Sequence, residues 1–177
     1  EMHDLADISM RMNAVIAEQF AGSQFTTAVL ARLDLSTGRL RWINAGHPAP
    51  LVLRNGSLLH PPPCRPSRPL GLQGGKPFPC EMRLEPGDRV LLYTDGIVEA
   101  RSPQGHFFGE DRLGDFVLRA AAAGEAAPET LRRLMRDVLT HQADQLQDDA
   151  SIVLVEWARN PLSLSVVTSE GAAAVDP

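Results

Sequence analysis

Two aspartates, each fused to an apolar run, are the residues of this 177-residue chain best placed for chemistry. Val90-Leu91-Leu92-Tyr93 leads into Thr94-Asp95-Gly96, and Asp148-Asp149 leads into Ala150-Ser151-Ile152-Val153-Leu154-Val155. Both apolar runs read as buried strands, so Asp95 and Asp148 each stand where a strand meets a turn. A strand end holds a side chain rigidly yet leaves it open to water, and carboxylate oxygens are the donors that hard divalent cations prefer. The chemistry in view is oxygen ligation of a divalent ion. Either motif alone reads first as a turn, because aspartate flanks strands for that reason too.

The elements that must position these acids follow from periodicity. Leu5, Ile8, Met12, Val15, Ile16 and Phe20 recur at helical spacing, and Gly22-Ser23 closes the run. Residues 25–33 and 39–43 read as strands joined through Ser36-Thr37-Gly38, and residues 50–54 and 57–59 as a hairpin over Asn55-Gly56. Residues 61–79 hold seven of the fourteen prolines, which rules out a central strand or a helix there. Strands resume at 78–84 and 89–94, across a Glu85-Pro86-Gly87-Asp88 turn. Two core-facing helices come next, one on Leu113, Phe116, Val117 and Ala120, the other on Leu131, Leu134, Met135 and Val138. A last strand covers 151–157, and residues 160–177, polar and without period, are expected to form a mobile tail. Hairpin-linked strands set apart from a helix pair predict an antiparallel α+β fold.

Composition narrows the function. A net charge of −5 and only 5% aromatic residues disfavour a nucleic-acid binder. No apolar run reaches the length of a membrane span, and no signal peptide opens the sequence, so a cytoplasmic location is expected. Cys64 and Cys80 bracket the proline-rich stretch, so a bridge closing it is geometrically conceivable, but in that compartment free thiols are expected. Gly74-Gly75-Lys76 lacks the spacing of a nucleotide-binding loop. His60, His106 and His141 stand alone in loops or at a helix end and read as bystanders.

One set of motifs, taken in order, goes further. Phe25-Thr26-Thr27-Ala28-Val29-Leu30, Asp34-Leu35-Ser36-Thr37-Gly38, Asn44-Ala45-Gly46-His47-Pro48 and Pro69-Leu70-Gly71-Leu72 come first. Leu84-Glu85-Pro86-Gly87-Asp88, Tyr93-Thr94-Asp95-Gly96 with Glu99-Ala100, Phe107-Phe108-Gly109 and Asp148-Asp149-Ala150-Ser151 follow. In order and spacing this resembles the bacterial metal-dependent serine/threonine phosphatases of the SpoIIE/RsbU type, a branch of the PP2C-like phosphatases, over about residues 10–157. The resemblance implies two stacked antiparallel sheets flanked by helices, with residues 1–159 forming the phosphatase domain.

It also implies a site. Hydrolysis of a phosphoester needs an activated water and neutralised phosphoryl charge, which two Mn²⁺ or Mg²⁺ ions supply together. Asp95 and Asp148 fall on two of the family's metal ligands; Asp149 falls where relatives carry Asp or Asn and reads as an orienting residue rather than a primary ligand, and Gly96 permits the tight turn beneath Asp95. His47 could protonate the leaving seryl oxygen, although its Gly-His-Pro corner reads first as a turn. Glu99 either braces the metal loop or is solvated. Arg65 and Arg68 could meet a phosphate but read first as solvated.

The implied substrate is a phosphorylated STAS-type anti-sigma factor antagonist, with a PAS, GAF or receiver module upstream in the full polypeptide. No nucleic acid or membrane is implied as a partner. One family feature is missing: the Asp-x-Ser-Gly turn that supplies a bridging carboxylate. Its nearest counterpart, Asp7-Ile8-Ser9-Met10, fits a helix and carries Met10 in the glycine's place. The chain is therefore expected to be an N-terminally incomplete fragment of such an enzyme. The alternative is a degenerate phosphatase-like binding module without catalysis.

Overall fold

The computed structural model describes residues 4–59, 64–72, 74–143, 149–157 and 165–170. The chain divides into two compact units, one from residues 1–49 and 61–85, the other from 50–60 and 86–177.

In the first unit, helix α1 (Leu5–Gln19) lies against strands β1 (Ala28–Asp34) and β2 (Arg39–Ala45). With β5 (Cys80–Arg83) these strands form a three-stranded antiparallel sheet of order β1-β2-β5. Leu5, Ala6 and Ile43 make its small buried cluster, with Leu30 packed beside them. The apolar stripe of α1 is only partly buried: Ile8, Met12, Val15 and Phe20 stay 37–59% exposed. Asp7 lies on this helix, as its spacing predicts, and it pairs with Lys76 Nζ at 3.0 Å. The β1–β2 turn is closed by the Asp34 carboxylate, whose Oδ1 accepts from the Ser36 hydroxyl at 2.6 Å and the Ser36 N–H at 2.8 Å. Those bonds, with Thr37, lower its pKa to about 2.

Cys64 and Cys80 are joined by a disulfide with their Cα atoms 5.6 Å apart, which corrects the expectation of free thiols. The compartment argument carried no information about distance, and the return of the chain into β5 brings the two residues together. The proline-rich stretch between them is tied down elsewhere too. Thr26 and Leu70 exchange backbone hydrogen bonds at 2.9 and 2.8 Å, and Asn13 Oδ1 accepts from Gly71 N–H at 2.9 Å.

In the second unit, β3 (Leu51–Arg54), β4 (Ser57–Leu59), β6 (Arg89–Tyr93), β7 (Ser151–Glu156) and β8 (Ser165–Glu170) form an antiparallel sheet of order β4-β3-β6-β7-β8. The β3–β4 hairpin turns on Asn55 (φ 49°) and Gly56 (φ 74°), the left-handed pair that its sequence predicts. Helices α2 (Asp95–Val98), α3 (Glu110–Ala122) and α4 (Ala127–His141) accompany this sheet. Leu113, Phe116 and Val117 of the predicted α3 stripe and all four residues of the α4 stripe enter one core with Leu91, Tyr93, Ile97, Ala150 and Ile152. β8 lies within the stretch that the sequence reads as a tail without period. β7 would otherwise present an unpaired edge, and β8 pairs along it from Ser151↔Glu170 to Glu156↔Ser165.

The architecture is thus α+β, with two antiparallel sheets and accompanying helices. Among the described residues, no helix is long and apolar enough to cross a membrane.

Two polar features brace the second unit. The turn before β6 is held by Asp88, 1% exposed, which takes a forked ion pair from Arg54 of β3. Arg54 Nε lies 2.9 and 3.1 Å from the two carboxylate oxygens, and Nη2 lies 2.6 Å from Oδ2. At the end of α4, His141 accepts from Arg112 through Nδ1 at 3.0 Å and donates through Nε2 to the His106 carbonyl at 2.9 Å. His141 thereby fastens the residue 106 loop to α3 and α4.

Candidate functional site

The two acid-bearing strand ends meet. β6 and β7 pair antiparallel from Arg89↔Glu156 to Tyr93↔Ile152, so the C-terminal end of one and the N-terminal start of the other share one edge of the sheet. The Asp95–Gly96 turn then lies directly against the Asp149–Ala150 backbone: a Cβ placed on Gly96 would sit 2.4 Å from the Asp149 carbonyl oxygen. Gly96 is therefore required for close backbone approach, not for an unusual φ. Asp148, the partner ligand expected from the sequence, lies outside the described residues.

Thr94, which no sequence motif singles out for a role, sets the register at this edge. Its hydroxyl accepts from Ser151 N–H at 2.9 Å and reaches the Asp149 carbonyl at 3.3 Å, while its own N–H donates to the Ser151 carbonyl at 3.0 Å. The available signal is a hydroxyl residue at a strand end immediately before the acid. Thr94→Val keeps the shape and removes these side-chain bonds, leaving the Ser151 N–H without its partner. It should lower stability by about 1–3 kcal/mol, read as a shift in the urea midpoint. An unchanged midpoint would show that the hydroxyl does not tie the strands.

The rest of the mount is buried. Ile97 and Ala150, beside the two acids, belong to the core, as does Tyr93. The Tyr93 hydroxyl donates to Glu110 Oε1 at 2.8 Å, linking β6 to the first turn of α3. Burial, then this bond and the charge of Glu110, push the phenol well above its ordinary pKa, so Tyr93 serves here as a donor and not as a base.

The Asp95 carboxylate is exposed, and its Oδ1 accepts from Gly96 N–H at 3.0 Å. Among the described residues its Oδ2 has no hydrogen-bond partner, which leaves an oxygen donor of the kind Mn²⁺ and Mg²⁺ favour. Asp149 is exposed on the facing segment. The described residues contain no group of three His, Cys, Asp or Glu that could hold an ion, so they fit a divalent cation in donor chemistry and not yet in donor number.

The remaining candidates have other settings. Glu99 is exposed; its backbone N–H donates to the Asp95 carbonyl at 2.7 Å, and its carboxylate has no partner among the described residues. His47, in the first unit, sits in a closed corner. Asn44 Oδ1 accepts from His47 N–H at 2.8 Å, Asn44 Nδ2 donates to the His47 carbonyl at 2.7 Å, and the imidazole Nδ1 lies 3.0 Å from the Thr27 hydroxyl. That is the turn its Gly-His-Pro sequence describes.

Comparison with known proteins assigns the class. The fold is that of the PP2C-type phosphatase domains. The SiaA-PP2C domain of Pseudomonas aeruginosa matches with a TM-score of 0.70 at 22% identity, over 85% of this chain and 59% of that one. The RsbU and RsbW domains of Rv1364c from Mycobacterium tuberculosis match with 0.67 at 24% identity, over 88% and 42%. The manganese-presoaked phosphatase domain of SpoIIE from Bacillus subtilis matches with 0.60 at 16% identity, over 90% and 78%.

The family is defined more narrowly by sequence. The profile of Stage II sporulation protein E (SpoIIE) matches residues 1–158, and the chain belongs to that family. Protein IcfG of Synechocystis sp. is 29% identical over 136 residues, which are 75% of this chain and 21% of that protein. The chain thus spans about a fifth of that relative's length.

Proposed function

We propose that this chain is catalytic sequence of a metal-dependent protein serine/threonine phosphatase. The observation that carries the proposal is the seating of the Asp95–Gly96 turn against the Asp149 backbone, in a chain of the SpoIIE family. Asp95 and Asp148 would hold a divalent cation, Mn²⁺ or Mg²⁺, with Asp149 orienting. Bound ions of this kind lower the pKa of a water and neutralise charge on the phosphoryl oxygens. The chain's own part is positional. Gly96 N–H fixes one oxygen of Asp95, Thr94 holds the two strand ends in register, and the core beneath Ile97 and Ala150 keeps both from drifting. In the overall reaction the serine or threonine ester P–O bond breaks, water oxygen bonds to phosphorus, and the seryl oxygen leaves with a proton.

The substrate we infer is a phosphorylated STAS-type anti-sigma factor antagonist, in cytoplasmic sigma-factor signalling, with a sensor module upstream. The test is phosphate release from a phosphorylated STAS-type protein with Mn²⁺ and with chelator, by the 177-residue chain and by a polypeptide extended upstream. The extended polypeptide should show Mn²⁺-dependent release that Asp95→Ala lowers by about 100-fold or more. The 177-residue chain, without the Asp-x-Ser-Gly turn, should bind Mn²⁺ weakly and turn over slowly. Absence of release from both would favour the non-catalytic binding module.

A further inference from the structure

The first unit contains a groove of about 560 Å³ between α1 and the proline-rich stretch. Met10 and Asn13 line it from the helix, and Arg65, Arg68, Lys76 and Phe78 from the stretch. Its lining includes these three cations and no acidic residue, in a chain whose net charge is −5. Lys76 is steadied from outside the lining by Asp7, and Arg65 has no ion-pair partner among the described residues. Phe78 and Met10 are 72% and 47% exposed, an unusual state for two large apolar side chains beside one cleft.

The walls are also tied at several points. The Cys64–Cys80 bridge joins the residue before Arg65 to the strand that follows Phe78, and prolines at 66, 69, 77 and 79 restrict the backbone between. Asn13 pins the same stretch to α1 through Gly71. A preformed groove loses little entropy on binding, and a cationic lining with apolar anchors complements an extended segment that carries carboxylates or phosphates around an apolar side chain.

We propose that this groove docks an acidic, apolar-bearing segment of a protein partner. Naming that partner as the phosphatase's protein substrate rests on the proposed function, whereas docking itself can be read without turnover. The probe is a fluorescein-labelled twelve-residue peptide alternating aspartate with leucine, followed by anisotropy on the 177-residue chain. Binding should weaken steeply with salt, and by about tenfold or more in the double variant Arg65→Glu/Arg68→Glu. Phe78→Ala should weaken it by about threefold or more, and a peptide with serine in place of every aspartate should bind at least about tenfold more weakly.

Equal affinity for the two peptides, equal affinity in the charge-reversed variant, or no binding at all would overturn the proposal. Displacement of the peptide by an equal concentration of oligo-dT would overturn it in favour of a nucleic-acid groove. If the peptide binds as described while the extended polypeptide releases no phosphate, docking stands and the phosphatase reading falls. Release with no peptide binding overturns docking and leaves the phosphatase reading in place.

Discussion

Replacing Gly96 with alanine is expected to abolish most of the phosphatase activity of whichever polypeptide releases phosphate, while leaving a folded protein. The added methyl would lie 2.4 Å from the Asp149 carbonyl oxygen and 3.1 Å from its carbon, both backbone atoms that cannot rotate away. Something must shift, and the atoms free to do so are those that carry Asp95 and Asp149. Overpacking of this kind costs about 1–3 kcal/mol. A displacement of about 1 Å between groups that act together costs on the order of 100-fold in rate. Both effects are measurable: phosphoserine release with Mn²⁺ for the site, and the thermal midpoint for the fold. Activity within twofold of the parent would mean that the approach of these two segments is incidental to catalysis.

The largest effect on stability should come from Arg54→Ala. Asp88 is 1% exposed, and the fork from Arg54 lies across it at 2.6 to 3.1 Å. Removing the guanidinium takes the forked ion pair away from a buried carboxylate, and breaking a buried pair from one side costs about 3–5 kcal/mol. For a domain whose total stability is about 5–15 kcal/mol, that is enough to unfold an appreciable fraction of molecules near physiological temperature. Replacing both residues with apolar ones of similar volume should recover most of the loss, since the penalty lies in removing one side of a buried pair and not in the absence of the pair itself. Denaturant titration of the single and double variants decides this. A double variant as unstable as Arg54→Ala would place the cost in shape and not in charge.

What the sequence disclosed and what it withheld divide along physical lines. The α3 and α4 stripes, the Asn55-Gly56 hairpin and the strand leading to Asp95 were legible because each depends on residues within one or two turns of one another. Fold class followed from those elements and from the resemblance, which the SpoIIE profile over residues 1–158 upholds. The pairing of Arg54 with Asp88 is 34 residues long-range, and nothing near Glu85-Pro86-Gly87-Asp88 distinguishes a buried acid from an ordinary turn residue. The Cys64–Cys80 bridge depends on a distance that only the sheet sets. β8 depends on the open edge of β7, so the local composition of the tail gave no warning of it. Helical periodicity identified α1 correctly but cannot say how much of an apolar face finds a partner, and Val15 is 59% exposed. At the candidate site, Asp95 and Gly96 were readable as a motif. The role of Thr94 was not, because it is a cross-strand bond between positions 57 apart.

The chain crosses from one unit to the other three times, and that route governs how the molecule must assemble. Leu51 is registered against Leu91, so β3 cannot be secured in its sheet until the polymer has looped through the whole of β4, the proline-rich stretch and β5. Closing so long a loop is entropically costly, and proteins dominated by such remote pairings fold slowly. A crosslink between residues 64 and 80 lies wholly inside that loop and shortens its effective length. The thiol redox state at synthesis should therefore change how fast the second unit forms, although neither cysteine belongs to it.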